Sequence, residues 1–130
     1  MELILNYFLK RIENKISDKA TIDKSAKITG PVVIEEGVKI LEYCRIVGPA
    51  VIKKNSIIGT GTLVRESIIG RGCIVGYSTE ITRSYIGNNC WFHTNYIGDS
   101  VLGNNITMGA GSVLANLRLN QKTIHSKVKG

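Results

Sequence analysis

The sequence has no apolar run near the ~20 residues that a membrane-spanning helix requires. It also has no secretory signal: Glu2 stands where a basic region would be, and Asn6 interrupts an apolar run that is already short. Both absences predict a cytoplasmic protein with no membrane partner. Cysteine is scarce and odd in number, and Cys44, Cys73 and Cys90 show no close pairing of the metal-site kind. Acid is missing from the last thirteen residues, where Arg118, Lys122, Lys127 and Lys129 gather within a chain of formal net charge +7. Such a tail suits phosphates of a nucleotide, a sugar phosphate or nucleic acid, or it is a solvated terminus. Aromatic residues make up 6% of the chain and none interleaves with those cations, so base stacking is not expected and nucleic acid is not a predicted partner.

What is present is order of a simple kind. One hundred and thirty residues fit one domain. Residues 2 to 16 place Leu5, Phe8, Leu9, Ile12 and Ile16 at helical spacing, with Asn6, Lys10, Arg11, Glu13 and Lys15 opposite. This predicts an amphipathic helix, serving as a cap or linker over residues 1 to 18.

From Ile22 onward aliphatic residues recur every sixth position: Ile22, Ile28, Ile34, Ile40, Ile46, Ile52, Ile58 and Val64. Occasional five-residue steps then carry the series through Ile69, Val75, Ile81, Ile86, Phe92, Ile97, Leu102, Met108 and Leu114. Seventeen anchors in register make a repeat, which outranks local propensity.

The slots between anchors are regular too. Four residues after an anchor the side chain is small or β-branched, as at Ala26, Val32, Val38, Ala50, Ser56, Thr62 and Thr79, and all three cysteines occupy this slot. They are therefore read as small buried hydrophobes. Three residues after an anchor stands a turn former, such as Pro31, Gly37, Pro49, Asn55, Gly61, Gly72, Asn89, Asn105 or Gly111. Gly and Asn tolerate positive φ and Pro presets a turn. Each unit is thus a short strand and a tight corner, and three units close one turn of a parallel solenoid whose turns stack at ~4.8 Å. The predicted fold is all-β, five to six turns over residues 19 to 117, followed by the basic tail at 118 to 130. A solenoid's open ends need covers, and the helix is the candidate cap for one of them.

One stretch departs from the rest. Cys90 to Asn116, CWFHTNYIGDSVLGNNITMGAGSVLAN, holds the only Trp, the only His outside the tail, and a single charged residue, Asp99, in a chain that is 21% charged. Such a segment calls for cover by a subunit or a ligand.

The six-residue pattern resembles the hexapeptide-repeat family of left-handed parallel β-helices. The left hand is implied by that resemblance alone, since the general rule for parallel crossovers gives the right hand. His93 to Asn116, within a match running from about Ala20 to about Lys122, closely resembles the acetyltransferase domain of the bifunctional enzyme that makes UDP-N-acetylglucosamine, and its archaeal sugar-1-phosphate nucleotidylyltransferase relatives. The resemblance implies a homotrimer that moves an acetyl group from acetyl-CoA to the amine of an amino-sugar phosphate such as glucosamine-1-phosphate. It implies His93 as general base, a role imidazole suits because its class titrates near neutrality. It implies Asn116 beside the acetyl group and sugar, Tyr96 and Arg65 on the substrate, Lys122 in the same site, and Ala110 and Arg118 toward acetyl-CoA.

Two positions differ from the family's pattern. Thr82 stands where the family has a Lys, with Arg83 one position later as the substitute cation, and Thr107 stands in place of an Asn before Gly-Ala-Gly. In the family further turns beyond the basic region supply much of the acetyl-CoA site, and a nucleotidylyltransferase domain precedes the helix. Neither has a counterpart in these 130 residues. A second reading follows: a non-catalytic trimerisation or regulatory β-helix working beside a separate nucleotidylyltransferase.

Overall fold

The computed structural model describes residues 2–123, 125, 127 and 128, with side chains from residue 5 onward. Lys129 of the basic tail lies outside the described residues. The chain is a parallel β-solenoid of about six turns carrying one short helix, as the repeat predicts.

Three sheets of six, five and six strands form its walls. The first stacks Lys15–Ile16, Val32–Ile34, Ala50–Ile52, Ile68–Ile69, Tyr85–Ile86 and Val101–Leu102. The second stacks Thr21–Ile22, Lys39–Ile40, Ile57–Ile58, Ile74–Val75 and Trp91–Phe92. The third stacks Lys27–Thr29, Arg45–Val47, Leu63–Arg65, Glu80–Thr82, Tyr96–Gly98 and Val113–Leu114. Anchors pair with anchors throughout, as in Ile34 with Ile52, Val75 with Phe92, and Ile81 with Ile97. Each five-residue step removes one corner residue and leaves this pairing intact.

The core is the column of anchors between the walls, closed by the small slots. Cys44, Cys73 and Cys90 are buried there. Their thiols donate to the carbonyls of Gly59, Gly87 and Gly103 at 3.0, 3.1 and 3.2 Å. Ser56 and Thr62 do the same to Gly70 and Gly76, so a cysteine here is interchangeable in role with a serine. Burial pushes the Cys44 and Cys73 thiols up from their ordinary values.

Gly37, Asn55, Gly61, Gly72, Asn89, Asn105 and Gly111 all hold positive φ, as their corner positions require. The prolines cannot, and the Gly48–Pro49 bond is cis instead. Asp99 takes the same left-handed conformation, and so do Tyr43, Glu66, Ser78, Arg83 and Thr94, whose side chains ordinarily resist it.

The helix is shorter than the apolar spacing predicts: it spans Glu2–Leu9, not 2 to 16. Its last turn tightens, with Arg11 N–H on Phe8 and Ile12 N–H on Leu9, and the chain then enters the first wall. Ile16 fits both periods, being four residues after Ile12 and six before Ile22. Sheet pairing wins, because Ile16 stacks on Ile34 and Ser17 N–H finds the Ile34 carbonyl at 2.8 Å. Ile16 is thus an eighteenth anchor. The helix is not an end cap either. Leu5, Phe8 and Ile12 share a cavity of about 520 Å³ with Lys53 and with Val51, Ile68, Tyr85 and Val101, the last four projecting outward from the first sheet across several turns. It lies along a flank, and Ile22 and Ile28 in the first turn stay only half-buried.

Candidate functional site

Two groups of polar side chains stand at the edges of the third sheet. The first is centred on His93, which follows the strand Trp91–Phe92 at the corner leading to the third sheet. Phe92 is fully buried and fixes the backbone, while Trp91 and His93 lie outside. Asn95, filling the small inward slot, accepts His93 N–H at 2.6 Å and donates to the Gly109 and Ser112 carbonyls at 2.9 and 3.0 Å. That strap fixes the His93 main chain to the next turn. Below the imidazole lies Gly76, where a Cβ would come 3.4 Å from His93 Nδ1. His93 opens on a hollow of about 290 Å³ lined by Trp91, Thr107, Met108, Gly109 and Ala110.

The second group occupies the opposite edge, at the corner returning to the first sheet. Three of the five-residue steps stack at this corner, as Arg65-Glu66-Ser67, Thr82-Arg83-Ser84 and Gly98-Asp99-Ser100. A serine ladder pins it: Ser84 N–H donates to Ser67 Oγ and Ser100 N–H to Ser84 Oγ, both at 3.0 Å. On its outer side Arg65 Nε donates to Thr82 Oγ1 at 3.1 Å, and an Arg83 nitrogen reaches the same hydroxyl at 3.4 Å. Arg83 pairs with Asp99 through Nε to Oδ1 at 2.6 Å and a terminal nitrogen to Oδ2 at 2.9 Å. Asn116 Nδ2 donates to the same Oδ2 at 2.5 Å. Gly98 leaves room for the Tyr96 hydroxyl and the Asn116 amide, each within 3 Å of where a Cβ would sit.

The hydrogen bond from Arg83 holds the Asp99 carboxyl below its usual range. Partial burial opposes this, and Asn116 and the Arg65 charge add to it. The same pair raises Arg83 above its ordinary value. Thr82, the position at which the cation is displaced by one residue, is buried beneath both guanidinium groups.

The structure therefore brings Ala110 to His93, and brings Arg65, Arg83, Asn116 and Tyr96 to one another. The width of the third sheet lies between the two groups. Among the described residues no hydrogen bond joins Arg118 or Lys122 to either group: Arg118 donates to the Thr123 carbonyl and Lys122 N–H to Asn120 Oδ1. Asp99 and Asn95 are hydrogen-bonded into these two groups, and the sequence alone assigns neither a functional role. Asp99 carried one signal, as the lone charge of its segment. Asn95 carried none, since its slot is one that small core residues fill.

The sequence model of the GMPPB C-terminal domain family matches residues 12–130. The chain is 38% identical over 138 residues to the bifunctional protein GlmU of Methanococcus vannielii, covering 96% of this chain and 30% of that protein. It is 36% identical over 111 residues to the bifunctional sugar-1-phosphate nucleotidylyltransferase/acetyltransferase of Sulfurisphaera tokodaii, covering 84% and 28%. The chain thus spans less than a third of the length of these relatives. Among solved structures, PerB from Caulobacter crescentus in complex with CoA and GDP-perosamine superposes with a TM-score of 0.74 at 17% identity, over 80% of this chain and 52% of that one.

Proposed function

Because the chain belongs to the GMPPB C-terminal domain family, with bifunctional relatives whose names include an acetyltransferase, we propose that it is an acyltransferase-type domain of sugar-nucleotide biosynthesis. It moves an acetyl group from acetyl-CoA to the amine of an amino-sugar-1-phosphate, in the cytoplasm. The observation that carries this reading is the chemistry of the two groups: an exposed imidazole over a hollow at one sheet edge, and a phosphate-suited pair of arginines with Asn116 and Tyr96 at the other.

In this reading His93 takes a proton from the sugar's ammonium, because only the free amine is a nucleophile. The amine nitrogen bonds to the thioester carbon and sheds a second proton to solvent as it becomes the amide, the carbon–sulfur bond breaks, and the thiol leaves with the proton that His93 returns. Trp91, Met108 and Ala110 give the acetyl end an apolar wall. That hollow is small, so it suits the thioester end of acetyl-CoA and not its nucleotide. The separation of His93 from Arg65 across the third sheet supports a site shared between subunits of a homotrimer, each chain lending one group to its neighbour. Release of free thiol from acetyl-CoA, dependent on glucosamine-1-phosphate, is the experiment that tests the reading.

A second reading has its own observation. Ile57, Ile74 and Trp91 form an apolar column on the outside of the second sheet, which the N-terminal helix does not line. Such a column serves assembly without any chemistry, as in a trimerisation module beside a separate nucleotidylyltransferase. That module would form trimers and leave CoA unbound at micromolar concentration, whereas the transferase binds it saturably.

A further inference from the structure

Asp99 is the hub of its cluster. Its Oδ1 accepts one hydrogen bond from Arg83, and its Oδ2 accepts one from Arg83 and one from Asn116. An ionised carboxylate only accepts, so the Asn116 carboxamide must turn its NH₂ toward Asp99 and its oxygen away. Asn116 therefore offers an acceptor to whatever lies beyond it. The two arginines are also made unequal. One full edge of Arg83, Nε and a terminal nitrogen, is taken by Asp99. Arg65 donates only Nε, to the neutral Thr82 hydroxyl, and among the described residues its terminal nitrogens have no hydrogen-bond partner.

We propose that Asp99 is the positioning residue of this site: it presents the Asn116 oxygen to the substrate's amino group and takes up one edge of Arg83, leaving Arg65 as the phosphate clamp. The proposal rests on the acetyl-transfer reading and deepens it. An acceptor complements the N–H groups of an amine, whereas the acetyl oxygen, itself an acceptor, would be repelled. The terminal edge of Arg65 matches two phosphate oxygens, the fork geometry that a guanidinium provides.

The test is Asp99→Asn. Asn tolerates the left-handed backbone that Asp99 holds at φ 49°, so the fold is kept. Its carboxamide has one neutral oxygen where Asp99 has two charged ones, so either Arg83 Nε or the two donors at Oδ2 come to face an NH₂, and the charge that holds Asn116 is gone. In ¹⁵N-labelled protein, with the Asn116 side-chain amide assigned by its loss in Asn116→Ser, the parent shows one amide proton displaced downfield, which moves back as acid protonates Asp99. Asp99→Asn removes that displacement and lowers kcat/KM for glucosamine-1-phosphate by about ten- to a hundredfold. Arg65→Ala weakens glucosamine-1-phosphate binding more than Arg83→Ala does. An Asn116 amide indifferent to Asp99, an unchanged kcat/KM in Asp99→Asn, or stronger dependence of binding on Arg83 than on Arg65 would each overturn the proposal. If the parent shows no acetyl transfer, the reading of activity fails, and the amide signal and the two binding losses decide the positioning role by themselves.

Discussion

Arg83 grips Asp99 across one turn of the solenoid, and both residues hold the left-handed backbone, φ 46° and 49°. Arg83 is costly in that conformation and Asp99 less so, and Glu66 at the same corner one turn earlier holds it as well, at φ 48°. The backbones of Arg83 and Asp99 are locked in register, with Arg83 N–H on the Arg65 carbonyl and Asp99 N–H on the Thr82 carbonyl.

This pair makes stability depend on pH in a defined sense. Asp99 is held below its usual range in the folded state. Its contribution is therefore present above the unfolded value of about 4 and lost as pH falls through the lower folded value. Arg83→Gln removes it. Parent and variant should differ in urea unfolding near pH 6 by about 1 kcal/mol or less, because the pair is solvent-screened, and should converge in strong acid. A difference that persists undiminished in acid would show that Arg83 acts by packing alone.

Gly98→Ala should separate site from scaffold. Gly98 has no positive φ, and an added Cβ would meet the Asn116 amide at 2.5 Å and the Tyr96 hydroxyl at 2.7 Å, both ends of side chains. Those ends can move without opening the core. The expected result is a fall of about tenfold or more in acetyl-transfer kcat/KM with an urea midpoint close to the parent's. A folding defect with intact turnover would be the opposite outcome and would place Gly98 in the scaffold.

Phe92 and Trp91 are neighbours with opposed surroundings, 0% and 57% exposed. Phe92→Ala should destabilise by about 3 to 5 kcal/mol through the cavity it leaves. Trp91→Ala in isolated subunits should stay within about 0.5 kcal/mol, and any larger loss that grows with protein concentration would mean that subunits cover the second sheet. Equal losses for the two at every concentration would contradict the inward and outward assignment.

The cysteines should be silent toward a water-soluble disulfide reagent. Cys44, Cys73 and Cys90 are buried, and each thiol donates to a glycine carbonyl. All should react promptly once urea unfolds the chain and slowly or not at all before. Fast labelling of any one in the native protein would argue for a reactive role in place of the structural one.

The repeat made most of the fold legible because each of its rules is local and recurs: an aliphatic anchor inward, a small residue beside it, a turn former at the corner. The helix boundary was not legible, because Ile16 satisfies the helical and the six-residue period at once and only its partner Ile34 decides. The flank position of the helix was equally hidden, being set by outward side chains such as Ile68 and Val101 that no period marks as apolar seats. At the candidate site, His93 stood out as the only His outside the tail. Asp99 did not, since its meaning comes from stacking: residues 83, 99 and 116 meet only when turns of 17 and 16 residues bring one corner above another. The stack of five-residue steps at that corner was visible in the sequence and is the signal that could have found it.

The most direct test of acetyl transfer is release of free thiol from acetyl-CoA by the purified chain with glucosamine-1-phosphate, beside a His93→Ala control of the same oligomeric state. The account predicts release that requires the amino sugar and is abolished in His93→Ala. Equal release by parent and variant, or none by either, would contradict it and leave the assembly module as the reading to pursue.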